Sequence, residues 1–262
     1  FRSVLLDGPL ASERQRARFE REAELTSRLH HPNVVTLYEY GVVRGRPYLS
    51  LEFVTGLSIS DHVLLNEPSP RELAGLFTRI CRAVHCAHQN GIIHRDLNPS
   101  NVLIDEQGEP RLLDFGLAKD VFEPDGRSIS QAGNVVGTPP YLSPEQFGGL
   151  DGRVDVRSDV YSLGVLLYEA LAGRLPYEVG DDWADARRAI LGSTPRPLPA
   201  AGRDLEAIVR KALTKEKEAR YQSAAEMAAD LERYLAGDAV TARAGNRLYA
   251  LRKLGRRYRA AV

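Results

Sequence analysis

Three short stretches hold the residues best suited to chemistry. His94-Arg95-Asp96-Leu97-Asn98-Pro99-Ser100-Asn101 carries a carboxylate and, five residues on, an amide; Asp114-Phe115-Gly116 follows thirteen residues past Asn101, and Ser143-Pro144-Glu145 comes later. A carboxylate and an amide oxygen suit a hard cation, and a carboxylate beside a hydroxyl can take its proton as the oxygen attacks. The plainer role for Asp96 is a turn-capping carboxylate. Cys81, His85, Cys86 and His88 invite a metal reading. However, residues five apart on a helix are about 140° apart around its axis, so the two thiols cannot converge on one ion.

The elements that must position these residues follow from patterning. Residues 1–6 read as a strand, ended by Asp7-Gly8-Pro9, and residues 12–30 as a helix with Ser12 as N-cap. Phe19, Glu22, Ala23, Thr26 and Leu29 share one face of that helix, and a carboxylate there calls for a cationic partner. Val34 to Val43 and Pro47 to Val54, joined by Arg44-Gly45-Arg46, read as a hairpin. Residues 73–88 have the spacing of an amphipathic helix that stops at Asn90-Gly91. Short strands at 102–104 and 111–113 flank a turn, and residues 115–157, rich in Gly, Pro and polar side chains, read as a long functional loop. Residues 158–172 are apolar almost all round and predict a buried helix. Ser223-x-x-Glu226 is a capping box for a last helix with Met227, Leu231 and Leu235 on one face.

The 262 residues are 43% hydrophobic and 27% charged, a composition that excludes disorder, collagen and coiled coil. The net charge of zero is uneven: residues 243–262 hold seven cations and no anion, leaving 28 basic against 35 acidic in the rest. Only five of the 35 cations are lysine, none before Lys119. Two cysteines fit a reducing compartment rather than a disulfide-stapled fold. No signal peptide or membrane-length apolar run is present in the sequence. With Met227 the only methionine, the chain reads as a piece of something longer.

Together the three chemical stretches, in this order and spacing, resemble the catalytic-loop, metal-binding and activation-segment motifs of protein kinases. Phe19-x-x-Glu22, His31-Pro32-Asn33-Val34-Val35, Gly137-Thr138-Pro139-Pro140-Tyr141 and Asp155-x-x-Ser158-Asp159-Val160-Tyr161-Ser162-Leu163-Gly164 are most similar to the bacterial members of the eukaryotic-type Ser/Thr kinase family. The resemblance runs from Val4 to about Leu235. It implies an α+β, two-lobed fold, with a partial, β-rich N-lobe over 1–54, a mainly helical C-lobe over 55–237, and a basic tail over 238–262.

The resemblance also implies roles. Asp96 is the expected catalytic base, with Asn101 and Asp114 holding Mg2+ and ATP as phosphate donor to protein Ser/Thr hydroxyls. Leu51 is the expected gatekeeper; the Glu52 carbonyl and Val54 N–H are expected to bond the adenine, with Leu103 beneath it. His94, Phe115 and Gly116 are structural, Asp159 anchors the backbone near His94 and Arg95, and Glu145 with Arg220 forms a buried ion pair. Ser128 or Ser130 is the expected phosphosite, able to pair with Arg95. Thr138 is expected to contact the catalytic loop. A dimer through the kinase lobes is among the implied assemblies.

Two family lysines are replaced. Ser3 stands where a phosphate-binding lysine would pair with Glu22, with Arg2 expected to face the other way, and Asn98 stands where a lysine would reach the transferred phosphate. A Gly-rich phosphate loop would lie before Phe1. Each lost donor typically costs about 3–4 kcal/mol of transition-state stabilisation, so a pseudokinase that binds nucleotide or a partner stands beside an active kinase. The tail reads as a solvated basic helix, or as a cytosolic segment leading to a membrane anchor beyond Val262. It lacks a folded nucleic-acid reading element, so no nucleic acid is expected.

Overall fold

The computed structural model describes residues 2–5, 13–113, 139–148, 153–180, 183–244, 249 and 253. An upper three-stranded sheet has the order β1-β3-β2, from β1 (Arg2–Leu5), β2 (Leu37–Val43) and β3 (Arg46–Leu51), all antiparallel. The β2–β3 turn is tighter than the three residues expected. Arg44 (φ 51°) and Gly45 (φ 77°) alone make it, both in the left-handed region that matches the strand twist of a two-residue hairpin. Val34 belongs to neither strand of the hairpin; it bridges Leu112 in parallel, stitching this sheet's approach to the lower lobe.

Helix α1 (Glu13–Ser27) lies against this sheet. Its buried Phe19 and Ala23 join Val35, Leu37, Leu49 and Leu51 in one small core, and Phe19 meets Tyr40 edge-on with ring centroids 6.3 Å apart. Glu22 is half-buried on the same face, as the periodicity predicts.

The second sheet, β4 (Gly56–Ser58), β5 (Val102–Asp105) and β6 (Pro110–Leu112), carries the loop that holds Asp96 on the approach to β5. Beneath it lies a helical lobe. Helix α2 (Ile59–Asn66) follows β4, and α3 (Pro70–Gln89) starts a turn before its apolar stripe, because Ser69 and Glu72 close a capping box around Pro70. Helix α4 (Val156–Ala172) is buried nearly all round, as expected, and starts two residues early because the Asp155 carboxylate caps Arg157 N–H. Helices α5 (Trp183–Gly192), α6 (Gly202–Ala212) and α7 (Ala224–Ala236) complete the lobe. Ser223 caps α7, and Met227 and Leu231 are buried in the main core.

The start of the basic tail is tied to this lobe. Buried Asp230 accepts from Thr241 N–H (2.6 Å), Thr241 Oγ1 (2.7 Å), Ala242 N–H (2.8 Å) and Tyr221 Oη (2.8 Å). Asp204 pairs with Arg243 and Lys253, and the Arg243 guanidinium stacks on Tyr249 at 4.0 Å. Thr241, Ala242, Arg243 and Lys253 of the expected tail therefore engage the helical lobe. No helix among the described residues is long and apolar enough to cross a membrane.

Candidate active site

The loop from His94 to Asn101 is set by hydrogen bonds to its own backbone. Asp159, fully buried at the start of α4, accepts from His94 N–H and Arg95 N–H, both at 2.8 Å, and from His88 Nε2 at 2.7 Å. Three donors on one carboxylate fix two consecutive peptide groups immediately before Asp96, and they hold Arg95 in the left-handed region at φ 61°. Burial alone would raise the Asp159 pKa, but the His88 bond and charge, together with His94, outweigh it and hold the carboxyl below its ordinary value.

Asn101 Nδ2 donates to the Asp96 carbonyl at 2.8 Å, which leaves its Oδ1 as the atom able to ligate a cation. The Asn101 carbonyl accepts from Leu113 N–H at 3.0 Å, and His94 Nε2 bonds the Leu113 carbonyl at 2.9 Å. Both backbone groups of the residue before Asp114 are thus tied to the Asp96 loop. Asp114, Phe115, Gly116, Ser128, Ser130 and Thr138 lie outside the described residues.

Asn98 is buried, and its side chain is turned into the loop. Its Oδ1 accepts from Ser100 N–H (2.9 Å) and Oγ (2.6 Å) as the cap of a 3-10 turn, Pro99–Asn101, while Nδ2 donates to the Asp96 carbonyl at 3.2 Å. Asn-Pro-Ser is an Asx-cap sequence, a signal available beforehand but overshadowed by the missing lysine. In β1, Ser3 lies opposite Ser50, and Arg2 lies opposite Leu51. Residues paired across an antiparallel ladder share a face. The register therefore sets Arg2 and Ser3 on opposite faces of the sheet.

Leu51 is buried in the upper core, and Val54 and Leu113 pack against the same cluster. Leu103 is half-buried in β5, across from Ser58 and Arg111. The Glu52 carboxylate has a role the sequence did not disclose: it pairs with Arg111 of β6 and accepts from Thr36 N–H at 3.2 Å. Burial opposes its charge, yet Thr36 and Arg111 keep its pKa lowered.

Glu145 and Arg220 are both fully buried, joined by bonds of 2.8 and 2.9 Å, and Ser158 Oγ adds a third bond to Glu145 at 2.6 Å. Arg220 also donates to the carbonyls of Thr214 (2.6 Å), Lys215 (2.8 Å) and Arg157 (3.1 Å). Beside Glu145, Gln146 Nε2 reaches the Arg95 carbonyl at 3.0 Å.

A pH dependence follows. Glu145, Asp159 and Asp230 all have lowered pKa values: burial works against each, and hydrogen bonds led by Arg220, His88 and Thr241 respectively prevail. Such groups give their full stabilisation above the unfolded values of 4.5 and 3.8 and lose it as pH falls toward the folded ones. The urea midpoint is expected to stay nearly flat from about pH 7 to 6 and to drop steeply below about pH 4.5; a midpoint unchanged at about pH 3 contradicts the pairing.

Comparison with known proteins follows the same lines. The protein kinase domain family matches residues 8–231. The serine/threonine-protein kinase PknB of Mycobacterium tuberculosis is 40% identical over 230 residues, 84% of this chain and 36% of that protein. PrkC of Bacillus subtilis is 36% identical over 219 residues, 82% of this chain and 33% of its own length. The chain therefore spans about a third of the curated relatives it matches. The kinase domain of M. tuberculosis PknI superposes with a TM-score of 0.67 at 26% identity, covering 88% of this chain and 84% of that one. With its motifs in register and this two-lobed fold, the chain belongs to the protein kinase family, among the bacterial eukaryotic-type Ser/Thr kinases.

Proposed function

We propose that this domain transfers the γ-phosphate of ATP to Ser/Thr hydroxyls of protein substrates, with Asp96 as catalytic base. The observation that carries the reading is the double anchoring of the Asp96 loop: Asp159 holds the peptide groups before it, and Asn101 holds its carbonyl. A carboxylate so fixed can orient a substrate hydroxyl and accept its proton. Mg2+ would be held by the Asn101 Oδ1 and by Asp114, and when bound it neutralises phosphate charge. Leu51, Val54 and Leu103 are the apolar surface for the adenine, and the main chain at Glu52 and Val54 supplies its polar contacts. Ser128 or Ser130 is the proposed site of activating phosphate, and Thr138 the catalytic-loop contact that supports the choice of Ser/Thr substrates. Free Cys81 and Cys86 suit a cytoplasmic domain. The lobes are proposed to divide near residue 54, and the basic segment after 237 to lead toward a membrane anchor. The test is γ-phosphate transfer by the protein containing this chain to a generic substrate, against the Asp96→Asn variant; equal transfer by both overturns the assignment.

A second reading, a pseudokinase that binds nucleotide, is favoured by one observation: Asn98 is spent on capping its own turn and offers no cation. Installing lysine by Ser3→Lys with Asn98→Lys is expected to raise transfer about 100- to 1000-fold for each donor that reaches phosphate, at about 1 kcal/mol for the lost cap. Robust transfer by the unmodified protein, undiminished relative to the doubly substituted one, overturns the pseudokinase reading.

A further inference from the structure

Resting on the phosphoryl-transfer reading, one more residue acquires a role. Arg95 immediately precedes Asp96 and sits at φ 61°, where a residue with a β-carbon remains only if its surroundings hold it. Its two backbone groups are gripped by different elements. The N–H donates to Asp159 Oδ1 of α4 at 2.8 Å, and the carbonyl, which belongs to the peptide group leading into Asp96, accepts from Gln146 Nε2 at 3.0 Å.

Gln146 is buried on a 3-10 turn, Pro144–Phe147. Its Oε1 accepts from Ser143 N–H and Ser143 Oγ, each at 3.0 Å. A main-chain N–H can only donate and a carbonyl can only accept, so the two partners fix the amide with Nε2 toward Arg95. The preceding residue, Glu145, bonds Arg220 and Ser158 from the same turn. One turn is therefore bolted to the helical lobe by Glu145 and reaches the catalytic loop by Gln146.

We propose that Gln146 is a positioning residue for Asp96, fixing the Arg95–Asp96 peptide so that the carboxylate meets the substrate hydroxyl. The experiment compares the unmodified protein with Gln146→Glu, which keeps an acceptor for Ser143 but sets an oxygen against the Arg95 carbonyl, and with Gln146→Met, similar in length but without a donor. Two readouts are taken: steady-state transfer with ATP as the varied substrate, and amide hydrogen exchange across residues 94–96 and α4. The expected result is a fall in kcat of about 10- to 100-fold with the KM for ATP within about twofold. Exchange at 94–96 is expected to rise at least about tenfold, with α4 unchanged. Unchanged exchange at 94–96, or an equal rise throughout α4, overturns the proposal. Should the unmodified protein transfer no phosphate, the kinase reading fails by itself, and the exchange pattern still decides whether Gln146 holds the loop.

Discussion

Arg220→Ala is expected to destabilise the domain by about 3–5 kcal/mol, the range for removing one partner of a buried ion pair. For a domain of this size that corresponds to a fall in Tm on the order of 10 °C. The loss is large because every guanidinium donor is in use. Two bonds go to Glu145 and three to the carbonyls of Thr214, Lys215 and Arg157, and both ionic partners are fully shielded from solvent. Without Arg220, a buried carboxylate retains only Ser158 among these partners and three carbonyls lose theirs. Replacing both members, as in Glu145→Leu with Arg220→Met, removes the uncompensated charge and is expected to recover part of the loss. A single-variant cost below about 1 kcal/mol in urea unfolding contradicts this view of the pair.

Asp96→Asn is expected to lower phosphate transfer about 10²- to 10⁴-fold, the contribution of a positioned general base. Shape is nearly preserved, and the bonds from Asn98 and Asn101 to the Asp96 carbonyl are left in place by the substitution. Stability is therefore expected to change by less than about 1 kcal/mol. The pairing of a large rate effect with a small stability effect separates a catalytic carboxylate from a turn cap, which would show the reverse. Urea unfolding and initial-rate assays on the same preparation check both halves.

The sequence carried the loop chemistry well, because local motifs dictate local geometry. Asp96 and Asn101 sit five apart and meet through a hydrogen bond between the Asn101 amide and the Asp96 carbonyl. The apolar runs marked α3 and α4, while their first turns were hidden because polar caps, Ser69 with Glu72 and Asp155, carry no periodicity. Helices α2, α5 and α6 escaped notice for a related reason. Each is short: α2 spans eight residues, α5 ten and α6 eleven. Such lengths owe most of their stability to tertiary packing rather than to local propensity.

Long-range partners were the least legible. Nothing near Arg111 in sequence points to Glu52, 59 residues away, nor does Gln146 announce its bond to Arg95 across 51 residues. The orientation of β1 also depends on pairing. Only the ladder with β3 sets Arg2 opposite Leu51 and Ser3 opposite Ser50. Asn98 lacks the charge of a lysine, but its position before Pro99 and two before Ser100 suits a cap.

The most direct measurement is a titration of the protein containing this chain with ATP and Mg2+, following nucleotide binding and autophosphorylation in the same sample, with Asp96→Asn alongside. Saturable binding by both proteins, with phosphate transfer by the unmodified one exceeding Asp96→Asn by at least about 100-fold, is the predicted result. Saturable binding with no transfer above the Asp96→Asn level would contradict the enzyme reading and establish a nucleotide-binding pseudokinase.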